Sequence, residues 1–156
     1  MADRLWDWAV RAYAAPQVEP LCLSLQDHPG QSVCLRLWAG WAAASGRWPD
    51  AAGLAEAVVL ARHWEREVVG PLRAARRGLN SAPGLAEDVR QALRARVQAD
   101  ELAAERALLE ALEALAPLVG EPGVQPLAAL AAASLALGPA APGKALESLA
   151  DAFPRG

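Results

Sequence analysis

Ser32-Val-Cys-Leu-Arg-Leu-Trp-Ala-Gly-Trp-Ala-Ala-Ala-Ser45 is the stretch that decides how this chain folds. Alanine, leucine and tryptophan fill nearly every position, so a helix over Val33 to Ser45 has no broad polar face and must lie inside a bundle. Ser32 can cap its N-terminus by accepting a bond from an early backbone N–H, and Gly46 supplies the exit. The exception within it is Arg36. An unpaired guanidinium in such a helix is prohibitively costly, so Arg36 must either snorkel to the surface or meet a carboxylate, with Asp7, Glu19 and Asp27 as candidates.

The flanking sequence repeats the helical spacing and lacks strand signals, which predicts an all-α fold: a compact bundle of about five to six helices with an Ala/Pro-rich C-terminal tail. Asp3 is a plausible cap for a first helix to about Ala15, with Leu5, Trp8, Ala9 and Ala12 on one face and Trp6, Val10 and Tyr13 on an adjacent one. So wide an apolar arc predicts burial on more than one side. Pro20 suits the start of a second helix, whose stripe is Val18, Leu21, Cys22 and Leu25, and His28-Pro29-Gly30 ends it. Asp27 opens that turn, where its carboxylate can bond the backbone two residues on, pair with Arg36 or meet a ligand.

Asp50 is expected to cap a fourth helix facing inward with Leu54, Val58, Ala61, Trp64 and Val68, which Gly70-Pro71 kinks or ends. From Leu85 to about Ala116 neither proline nor glycine intervenes. One helix there would run on the order of 48 Å at 1.5 Å per residue, and a break near Asp100 is the alternative. The chain therefore divides into a helical domain over 1–117 and an Ala/Leu/Pro/Gly-rich tail over 118–156, expected to be loosely attached or to form short uncapped helices.

A length of 156 residues suits one domain. The net charge of −3 gives no basic footprint for nucleic acid. Residues 1–8 lack the basic and apolar regions of a signal peptide, and the run Leu127 to Leu137 is too short to span a bilayer. A cytoplasmic protein with its two cysteines as thiols is the expectation. Cys22, His28, Cys34 and His63 match no zinc spacing, and no nucleophile–base pair or phosphate loop occurs. Neither a catalytic residue nor a metal or cofactor is expected.

All six tryptophans precede residue 65. Large rigid rings concentrate core or interface there, and Trp6, Trp38, Trp41 and Trp48 are expected near a groove between the first and third helices. Arg62, Arg66, Arg73 and Arg77 return nearly to register on a continuous helix and form a basic stripe at its margin. Such a groove would bind a protein partner through an amphipathic or acidic segment. The alternative is a small-molecule pocket lined by tryptophan, with Arg36 or Asp27 fixing a polar end.

Leu5-Trp-Asp-Trp-Ala-Val10, Tyr13, Leu25-Gln-Asp27, Val33-Cys-Leu-Arg-Leu37 and Trp64-Glu-Arg-Glu-Val-Val-Gly-Pro-Leu-Arg73 carry a further signal. Together, over roughly 5–77, they resemble an uncharacterised bacterial family with Leu-Trp-x-x-Ala, Leu-Gln-Asp and Val-Asn-x-x-Leu motifs in this order. The resemblance implies a compact helical unit and no mechanism. Cys34 stands where that pattern has asparagine, and Arg36 where it has an apolar residue.

Overall fold

The computed structural model describes residues 3–26, 31–138 and 142–155. Its helices are α1 (Leu5–Ala14), α2 (Val18–Gln26), α3 (Val33–Ala44), α4 (Ala51–Trp64), α5 (Gly70–Leu79), α6 (Glu87–Leu115), α7 (Pro126–Leu137) and α8 (Gly143–Ala152). A single π-helical turn, Glu65–Val69, joins α4 to α5 as one rod. Seven separate helices and no strand are thus found among the described residues, slightly more helices than the five to six expected.

Every residue from Cys34 to Ala42 is buried, because α3 touches α1, α2, α4, α6 and α7. Ser32 caps it as its residue type predicts, its hydroxyl oxygen accepting the Leu35 N–H at 3.3 Å. Trp41 donates its indole N–H to the Asp3 carbonyl at 2.8 Å, and Trp38 packs on Trp48 with ring centroids 5.8 Å apart. Just past the helix, Arg47 lies 4.6 Å over the Trp41 ring and donates to the carbonyls of Pro117 and Ala116. The end of α6 is thereby tied to the exit of α3.

Glycine and proline at 70 and 71 do not end the fourth helix. The Gly70 N–H reaches the Glu65 carbonyl five residues back, and a Cβ at position 70 would stand 2.3 Å from that oxygen. The wider turn admits one extra residue, so the inward-facing valine becomes Val69 rather than Val68. In α6 no break occurs at Asp100, and its 29 residues span about 43 Å. Only its C-terminal half, through Leu108, Leu109 and Leu112, enters the core, while Val89 and Leu93 stay exposed.

A carboxylate from α6 caps α1 in place of Asp3. Glu113 accepts the Leu5 N–H at 3.0 Å and the Arg4 Nε at 3.3 Å, while Asp3 pairs with Arg11. This cap is tertiary and leaves no local signature.

Of the two alternatives expected after 117, loose attachment or short helices, the described residues form the short helices α7 and α8, and these are built into the core. Ala129, Leu130 and Ala133 of α7 are buried, α7 lies on α3, and Leu149 of α8 is fully enclosed. Phe153 meets Trp8 edge-on at 5.0 Å and sits against Gly40, where a Cβ would lie 2.3 Å from the ring. Small residues gave little apparent core content in sequence, yet smallness is what lets two helices approach closely. Two outcomes follow from this packing. Trp38→Ala should lower unfolding free energy by about 3 to 5 kcal/mol in urea titration. Removing residues 118–156 should uncover α3 and abolish the cooperative thermal transition seen by circular dichroism.

Candidate functional site

The outward side of α1 carries a second apolar stripe: Trp6, Val10 and Tyr13 recur at helical spacing on the face beside the one that enters the core. That stripe forms one wall of a trough of about 370 Å³ whose floor is Val33, Cys34 and Leu37 of α3 and whose far wall is Leu102, Glu105 and Leu109 of α6. Val10 is 53% and Leu102 54% exposed, so the walls are apolar and open. At one end the Arg106 guanidinium sits 4.8 Å over the half-buried Trp6 ring. The floor is held in place where the Cys34 thiol approaches the Glu105 carbonyl at 3.9 Å.

Behind Glu105 lies a cluster of ion pairs linking the π turn, α5 and α6. Arg73 donates to Glu65 at 2.6 Å, and Arg76 grips both oxygens of Glu101 at 2.6 and 3.3 Å. Arg73 is also 3.6 Å from Glu101 and 3.9 Å from Glu105. Burial, then the neighbouring Glu101 charge, raise the Glu105 carboxyl above the ordinary glutamate range, against the pull of Arg73.

Burial also governs the thiols and the phenol. Cys22 is pushed up to about 11 by desolvation, opposed by the Tyr13 hydrogen bond and Arg36, and Cys34 is raised well above its usual value. Tyr13 is raised by burial first and by Cys22 second. Both cysteines are therefore protonated at neutral pH and are poor nucleophiles. Among the described residues, no group of three or more His, Cys, Asp and Glu side chains is arranged to hold a metal ion.

Of the tryptophans expected at a groove, only Trp6 lines the trough. Trp38, Trp41 and Trp48 are buried core residues, the first two on the stretch of α3 that is buried from Cys34 to Ala42. The arginine stripe is also dispersed. Arg62 donates to the carbonyls of Ala136 and Leu137 at the end of α7, Arg66 pairs with Glu67, Arg73 is buried among carboxylates, and Arg77 remains on the exposed side of α5. A π turn advances less per residue than an α-helix, so 62 and 66 lose register with 73 and 77.

Arg36 neither snorkels nor finds a carboxylate among the described residues. It is fully enclosed, its Nη2 donates to the Gln31 Oε1 at 2.5 Å, and its Nε and Nη1 have no partner there. Burial lowers its pKa to about 10, partly offset by Cys22 and Tyr13. Asp7 and Glu19 are exposed instead, and Asp27 and His28 fall outside the described residues. Sequence reasoning missed Val10, Leu102, Glu105 and Arg106 as site residues. The adjacent stripe on α1 was the available signal, but nothing local showed that α6 stops short of covering it.

The fold and this trough define an all-helical domain with an open apolar channel between three of its helices. The chain belongs to the family described as Protein of unknown function (DUF2390), whose model matches residues 4–112. The match takes in α1 and α3 and nearly all of α6, hence every wall of the trough, and ends before α7 and α8. No curated protein and no solved structure matches the chain.

The raised Glu105 carboxyl has a measurable sign. A carboxyl that holds its proton more readily in the folded state opposes folding once ionised, and this penalty fades as pH falls through the folded pKa. Glu105→Gln should thus be more stable than the parent at pH 7, with the difference shrinking toward pH 4 in parallel thermal melts.

Proposed function

We propose that this is a cytoplasmic bacterial binding module, acting without catalysis, which takes an apolar segment of a protein partner into the trough between α1, α3 and α6. The observation that carries the reading is the trough itself: open apolar walls with Val10 and Leu102 more than half exposed around about 370 Å³. A concave, mostly apolar channel with a few polar groups at its border is the usual form of a binding site. Trp6 with Arg106 over its ring supplies the aromatic and arginine pairing that interface anchors favour. A cytoplasmic setting is supported by two free, buried cysteines, and among the described residues no helix is long and apolar enough to cross a membrane.

A second reading, a small apolar ligand held in the same place, is favoured by the volume, which falls in the usual pocket range of roughly 300 to 1,000 Å³. Tyr13 and Glu105 would then fix its polar end. Val10→Glu and Leu102→Glu test the partner reading, because both side chains are exposed and the fold should survive. Companions cross-linked to the parent chain in native lysate should be lost from both variants. An unchanged set of companions would remove the trough from the interface.

A further inference from the structure

The trough has one charged wall residue, and its electrostatic surroundings are unbalanced. The cluster behind it holds three carboxylates, Glu65, Glu101 and Glu105, against two guanidiniums, Arg73 and Arg76. The short contacts are taken by the other two acids: Glu65 has Arg73 at 2.6 Å, and Glu101 has Arg76 at 2.6 Å. Glu105 is left with its nearest cation at 3.9 Å, the limit of an ion pair, and accepts no side-chain hydrogen bond among the described residues. Arg106, next along the helix, is turned to the Trp6 ring and to Glu110 at 3.1 Å. A carboxylate in an apolar channel is stabilised most by a cation that arrives with the ligand.

We propose that the trough selects a partner segment carrying a lysine or arginine beside its apolar anchors, with Glu105 receiving that cation. The inference rests on the partner-binding reading above and adds the chemistry of the partner. The dimensions suit a helical segment. Trp6 to Tyr13 spans about 10 Å along α1, two helical turns, so two apolar side chains one turn apart fill the channel and a basic residue one turn further reaches the acid. An acidic segment would instead meet the excess negative charge.

Two short helix-forming peptides test this, one with leucines at i and i+4 and lysine at i+7, the other with norleucine in place of the lysine. Each is titrated against the full chain at low ionic strength, with fluorescence anisotropy as the readout. The lysine peptide should bind about tenfold more tightly than its counterpart. Glu105→Gln should erase that preference, with a thermal melt verifying the fold. Equal affinities on the parent chain, or a lysine preference that survives Glu105→Gln, would overturn the role of Glu105 and leave the trough reading standing. Binding of neither peptide would overturn the trough reading, and this inference with it.

Discussion

A helix that is apolar around its whole circumference has to be surrounded, and α3 imposes that demand on the rest of the molecule. The unbroken buried run from Cys34 to Ala42 needs neighbours on every side, and α1, α2, α4, α6 and α7 supply them. Removing such a surface from water is the dominant favourable contribution to folding, at about 25 cal/mol per Å². Other features follow from satisfying it: Arg47 ties the end of α6 to the exit of α3, and Trp41 anchors the residue ahead of α1. Arg36 shows the cost of the same demand, since among the described residues its enclosed guanidinium meets Gln31 and no carboxylate.

The last two helices bear on how the family unit is defined. The family match ends at 112, yet the side of α3 next to α7 would be bare without Ala129, Leu130 and Ala133. Gly40 and Phe153 make this a specific fit, because any side chain at 40 would collide with the ring that closes on Trp8. The core of this protein therefore extends beyond the matched residues.

Function, on this reading, is placed where enclosure is incomplete. α1 turns one apolar stripe, Leu5, Trp8, Ala9 and Ala12, into the core and a second, Trp6, Val10 and Tyr13, toward a trough that α6 borders without closing. Of the arginines that make a surface stripe in sequence, Arg62 closes the end of α7 and Arg73 is buried among glutamates, while Arg66 and Arg77 stay exposed. The wall of the trough is apolar apart from Glu105, with Arg106 at one end engaged by the Trp6 ring and Glu110.

From residue pattern alone came the helical class, the centrality of α3, the Ser32 and Asp50 caps and the inward face of α1, and each holds in the structure. These are legible because caps and 3.6-residue periodicity act over a few neighbouring positions. Tertiary structure alone decided that Trp38, Trp41 and Trp48 are core, that Glu113 caps α1, that α7 and α8 are integral, and that Glu105 borders a channel. Each of these depends on which surfaces meet between residues far apart in the chain, as with Leu5 and Glu113. Periodicity can mark a face as apolar, but only the assembled helices determine whether another element covers it.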